Sequence, residues 1–132
     1  MIKMPEILDA SAIINTDTLQ SKEKMYTTPS VMKELKNIES KSLGEAAIAQ
    51  GNLKVIKPSK KHIKKIKEKA REIGSDENLS KTDIEVLALA LQEKQKLVTD
   101  DYTMQNLAAH LELEYEGLTR GEINKKKKFK QT

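Results

Sequence analysis

The stretch "VLALAL", Val86 to Leu91, limits most tightly how this chain can fold. It lies within "SKTDIEVLALALQEK", where Ser80 as cap and Asp83 three residues later resemble a capping box, with Asp in place of Glu or Gln. A helix apolar on every side has no face to offer water and is buried. The chain has 132 residues, 33% of them charged, so few segments are apolar enough to surround it. Those segments are short and alternate with helical patterns.

"EILDASAII" begins with the apolar pair Ile7-Leu8, a strand, and stops at Asp9, after which small residues suit a tight turn into a helix. "TTPSVMKELKNI" predicts a helix capped by Thr28, with Pro29 in its first turn and Val31, Leu35 and Ile38 at helical spacing. "SLGEAAIAQG" predicts another helix ending at Gly51, and "NLKVIKP" a strand closed by Pro58. From Lys60 to Ile73 the apolar residues Ile63, Ile66, Ala70 and Ile73 form one narrow stripe, which leaves the lysines on a solvated face. "SDENL" is expected as a polar loop. After the buried helix come "KLVT" as a strand, "DYTMQNLAAHL" as a helix and "LEYEGL" as a more exposed strand.

Strands alternating with helices at these distances imply βαβ crossovers, hence an α/β fold with a mostly parallel sheet and helices on both faces. No repeat or linker divides the chain, so residues 1–119 are expected to form one domain and residues 120–132 a basic tail. In such folds ligands bind beyond the carboxyl ends of the strands. Asp9 and Asp101 stand at such ends.

Several chemistries are excluded by what is missing. Without cysteine there are no disulfides, thiol nucleophiles or zinc–thiolate sites. Neither G-x-G-x-x-G nor G-x-x-x-x-G-K-[ST] occurs, which leaves dinucleotide and P-loop sites without support. His62 and His110 have no matching Ser or Cys partners. No apolar run approaches the roughly 20 residues of a membrane span, and no signal peptide opens the chain, so a soluble cytoplasmic protein is expected. The net charge of +4 is unevenly spread, concentrated in Lys57 to Arg71 and Lys125 to Lys130, an arrangement that attracts polyanions. Carboxylates remain as the candidate chemistry, and oxygen ligands suit hard dications such as Mg²⁺ or Mn²⁺.

The segments "ILDASAII", "TTPSVMKEL", "LSKTDIEVLALAL" and "LVTDDYTMQNLA" follow one another in the order found in PIN-domain ribonucleases. Across about residues 5 to 119 the chain resembles the archaeal branch of the family that matures the 3′ end of small-subunit ribosomal RNA. The resemblance implies a three-layer α/β/α PIN-like fold and a metal-dependent endoribonuclease acting on precursor ribosomal RNA. Carried over position by position, the metal-binding and catalytic acids fall on Asp9, Glu34, Asp83 and Asp101, with Ser11 and Thr99 as supporting hydroxyls. Asp100 is not required by the T-x-D pattern that begins at Thr99. Full-length members also carry a zinc ribbon, for which this sequence has no cysteine. Two other outcomes fit the same residues: a toxin-type PIN ribonuclease held by an antitoxin, and a non-catalytic PIN-fold RNA-binding protein. Each acid also has a purely local use as a helix cap or surface charge.

Overall fold

In the computed structural model, which describes residues 4–14 and 24–118, helix starts are set by local side-chain chemistry. The Thr28 hydroxyl accepts from the Val31 N–H at 3.2 Å, and the Ser59 hydroxyl from the His62 N–H at 3.2 Å. Ser80 and Asp83 complete the expected capping box, each side chain accepting from the other's backbone N–H at 3.1 and 3.0 Å. Asp101 accepts from the Met104 N–H at 3.0 Å. Losing one such cap typically costs about 1 kcal/mol.

The elements run in the order β1 (Glu6–Leu8), α1 (Ala10–Ile14), β2 (Met25–Thr27), α2 (Pro29–Glu34), α3 (Ile38–Ala49), β3 (Leu53–Val55), α4 (Lys60–Glu72), a 3₁₀ turn (Asp76–Asn78), α5 (Lys81–Glu93), β4 (Leu97–Val98), α6 (Tyr102–His110) and β5 (Tyr115–Glu116). The strands form one sheet in the order β3-β2-β1-β4-β5, and every pairing among the described residues is parallel. Ile7 and Leu8 of β1 lie level with Leu97 and Val98 of β4, and all four are buried. The chain winds outward from β1 through β2 to β3, then crosses back to lay β4 on the other side of β1. The winding direction therefore reverses between β1 and β4, where an open α/β sheet leaves a crevice at its carboxyl edge.

Helix α5 fills the role its sequence demanded. Val86, Leu87, Ala88, Leu89 and Ala90 are fully buried, and the helix packs against β1, α2, α4 and α6. Full burial of a Leu or Val side chain contributes roughly 1.5–3 kcal/mol, so this short run carries much of the core. Among the described residues no helix is long and apolar enough to cross a membrane.

Three details differ from the sequence expectation. The helix expected to run from Thr28 through Ile38 stops at Glu34, because Asn37 caps a new helix by accepting from the Glu39 and Ser40 N–H groups at 2.8 and 3.3 Å. Ile38 consequently leaves the core and is 83% exposed. Strand β2, "MYT", was not foreseen; three residues give no readable alternation, and only pairing with β1 and β3 defines it. The polar loop "SDENL" contains the 3₁₀ turn and buries its flanking Ser75 and Leu79. The tail beyond Leu118, with Lys125 to Lys130, lies outside the described residues.

Candidate functional site

The crevice between β1 and β4 is organised by one threonine. Thr99, fully buried just past β4, donates its hydroxyl to Asp9 Oδ2 just past β1. The same hydroxyl accepts from the Asp101 N–H at 3.0 Å, and the Thr99 carbonyl accepts from Gln105 Nε2 at 2.8 Å. Thr99 thus ties Asp9 to the backbone that starts α6. Asp9 Oδ1 accepts from the Ser11 hydroxyl at 2.6 Å and the Ala12 N–H at 3.2 Å. Ser11 and Thr99, the two hydroxyls singled out by the resemblance, are both on Asp9.

Asp9 is only 9% exposed. Burial raises its pKa above the ordinary aspartate value; the bonds from Ser11, Thr99 and Ala12 pull the other way, and the charge of Asp83 adds to the rise. Asp83, in the first turn of α5, is also raised, first by partial burial. Its hydrogen bonds to Ser80 oppose the rise, while the charges of Asp101 and Glu34 reinforce it. The four predicted acids therefore share one electrostatic neighbourhood: Asp83 lies within the field of the other three.

Glu34 reaches this neighbourhood through the placement of α2. Ser30, one turn before Glu34, donates to Glu85 Oε1 of α5 at 2.8 Å, and Thr28 Oγ1 lies 2.9 Å from the Ser30 hydroxyl. On its other side α2 meets Gly44 of α3, where a Cβ would come within 3.1 Å of Met32 Cε. Sequence reasoning passed over Ser30 and Glu85. The only trace they leave in the sequence is that Ser30 stands four residues before Glu34, on the same helical face.

Two neighbours do not join the acids. Asp100 Oδ1 accepts from the Leu118 N–H at 2.8 Å, fastening the segment after β5. His62 Nδ1 lies 2.6 Å from the Ser59 hydroxyl at the start of α4.

Among the described residues no three acid or histidine side chains stand together closely enough to hold an ion as they are oriented. Three of the four carboxylates are turned toward hydrogen-bond donors: Asp9 to Ser11 and Thr99, Asp83 to Ser80, Asp101 to Met104. None of the four has an ion-pair partner among the described residues. An all-carboxylate donor set beside a crevice fits a hard dication such as Mg²⁺ or Mn²⁺ and does not fit a soft one.

Comparison with known proteins agrees with this architecture. A sequence profile described as "PIN domain of ribonuclease" matches residues 7–92. The endoribonuclease Nob1 of Pyrococcus abyssi is 40% identical over 121 residues, which cover 92% of this chain and 73% of that protein. Ribonuclease VapC3 of Aeropyrum pernix is 38% identical over 112 residues, covering 81% of each chain. The 20S-pre-rRNA D-site endonuclease NOB1 of Saccharomyces cerevisiae is 31% identical over 102 residues, 75% of this chain and 22% of that much longer protein. Among solved structures, the VapBC2 complex of Rickettsia felis, bound to a DNA fragment from its promoter, contains a chain of like fold. It superposes with a TM-score of 0.57 at 16% identity over 86% of this chain and 98% of the other.

Proposed function

Because the chain belongs to the PIN-domain ribonuclease family, we propose that it is a metal-dependent endoribonuclease that matures the 3′ end of small-subunit ribosomal RNA. Residues 1–119 would form the nuclease domain and residues 120–132 a basic tail. The observation that supports the proposal is that Asp9 and Asp101 stand beyond the ends of β1 and β4, tied through Thr99, while Asp83 feels the charges of Asp9, Asp101 and Glu34. The ribosomal substrate is supported by the likeness to Nob1 and to the yeast 20S-pre-rRNA endonuclease.

Asp9, Glu34, Asp83 and Asp101 would hold one or more Mg²⁺ or Mn²⁺ ions. When bound, such an ion lowers the pKa of water and offsets negative charge gathering on the phosphate. Ser11 and Thr99 fix the rotation of the Asp9 carboxylate, so its oxygens enter the site already oriented. Thr99 also holds the Asp101 backbone, which keeps Asp9 and Asp101 in register across the sheet. Attack of water on phosphorus breaks one P–O bond of the RNA and requires no covalent enzyme intermediate. The lysines between Lys57 and Arg71 supply cations for the RNA backbone.

A second proposal, a toxin-type ribonuclease, is favoured by the likeness to VapC3. One experiment separates the two: incubation with a short RNA spanning a small-subunit 3′ end and with unrelated RNAs, in Mn²⁺ or in EDTA. Cutting confined to the ribosomal junction and lost in EDTA is expected. Cutting of every RNA would favour the toxin-type enzyme, and no cutting in Mn²⁺ would leave a non-catalytic RNA-binding protein.

A further inference from the structure

A groove between α4 and α5 plays no part in the site described so far. It is lined by Ile63, Lys67, Lys81, Ile84 and Glu85. Ile63 and Ile84 are half-buried and give it an apolar floor, while Lys67 and Lys81 are exposed beside it. Among the described residues neither lysine has an ion-pair partner.

The position of Lys81 runs against local stability. It is the first residue of α5, where the positive end of the helix macrodipole disfavours a cation. Its i,i+4 neighbour Glu85 accepts from Ser30 and forms no ion pair with Lys81 among the described residues, which leaves the Lys81 ammonium open to another anion. The groove is linked to the acids through Glu85, which accepts from Ser30 of α2, the helix that ends in Glu34. That bond engages the Glu85 carboxylate with α2.

We propose that this groove seats single-stranded RNA on its way to the acids. Lys67 and Lys81 each neutralise a backbone phosphate, and Ile63 and Ile84 cover an apolar face of a ribose or base. The assignment rests on the ribonuclease proposal above and adds the path of its substrate. Charge complementarity favours a polyanion over an apolar partner helix, since two exposed cations border the apolar strip and its single carboxylate, Glu85, is engaged by Ser30. Aliphatic packing also suits a chain with no Trp and 3% aromatic residues, in which stacking platforms are scarce.

The test is the affinity for a labelled oligo(U), measured in EDTA across a range of salt. Each lost phosphate contact flattens the slope of log K against log salt by about 0.7. Lys67→Gln with Lys81→Gln is expected to flatten it by about 1.4. Lys41→Gln with Lys94→Gln, both exposed and outside the groove and the Lys57–Arg71 run, is expected to leave it unchanged. Ile84→Ser is expected to weaken binding with the slope intact. An unchanged slope in the first variant, or equal flattening in both double variants, overturns the proposal, and the former would leave the groove to a protein partner. Binding in EDTA is independent of cleavage, so the two readings fail separately. A Lys67- and Lys81-dependent slope without Mn²⁺-dependent cutting sinks the enzyme and keeps the groove; cutting with an unaltered slope does the reverse.

Discussion

Beside the amino ends of β1 and β4, Lys96 Nζ stands 3.3 Å from Glu6 and 3.4 Å from Glu116. At the carboxyl ends of the same two strands, Asp9, Asp83, Asp101 and Glu34 have no ion-pair partner among the described residues. Partial burial would lower the Lys96 pKa, but Glu116 and Glu6 outweigh it and hold the ammonium above its ordinary value. Burial and neighbouring carboxylates instead push Asp9 and Asp83 up, against ionisation. One sheet therefore has an edge whose charges are settled within the fold and an edge whose charges await a partner. The first kind stabilises; the second stores unfavourable charge where function needs it.

Removing charge at the carboxyl edge should have the largest effect on activity. Asp9→Asn or Asp83→Asn is expected to lower Mn²⁺-dependent cleavage by more than ~100-fold, whereas a residue that only supports a ligand typically costs about 10–100-fold. The same variants should melt no lower than the wild type in EDTA at neutral pH. In Asp9→Asn the new amide N–H can donate to Thr99 Oγ1, whose own hydrogen can turn to Met104 Sδ, 3.8 Å away. A fall in melting temperature without metal would mean that these acids act mainly as caps.

At the amino edge the sign reverses. Lys96→Met leaves Glu6 and Glu116 without their shared cation, and the loss should be roughly 1–2 kcal/mol, reduced because the side chain is about a third exposed. Denaturant unfolding checks it; a more stable variant would erase the contrast between the edges.

The pH response sharpens the same contrast. Because the folded-state pKa values of Asp9 and Asp83 are raised, their contribution to stability is full below the ordinary aspartate pKa and is lost as pH rises through the raised values. Acidifying the EDTA-treated wild type from neutral into that window should therefore recover stability relative to Asp9→Asn/Asp83→Asn. Lys96, also raised, keeps its contribution until strongly alkaline pH and does not disturb that window. Parallel melting curves for wild type and variant across mildly acid pH would show that the carboxyl edge stores no such charge.

The smallest effect belongs to Asp100. Asn keeps an acceptor for the Leu118 N–H, so Asp100→Asn should retain that bond, cost less stability than Lys96→Met and leave cleavage intact. Large loss of cleavage would move Asp100 into the site.

Much of this molecule was written locally. Caps at Thr28, Ser80 and Asp101, the stop at Gly51 and the all-apolar "VLALAL" follow from interactions spanning a few residues, and those are visible in a linear string. So was the order of the four segments that resemble the PIN family. The break at Asn37 was missed because a three-residue cap competed with a longer apolar spacing, and the cap won. Strand β2 and the Ser30–Glu85 bond join residues far apart in the chain, and no local pattern encodes them. The sequence by itself determined which acids the chain carries and which elements bear them. Only the tertiary structure decided that β4 returns beside β1, so that Thr99 reaches Asp9 and Asp83 comes within the field of the other acids. The physical reason is reach: a cap or a periodic stripe acts over a turn or two, whereas the field among these acids exists only once the core has brought distant strand ends together.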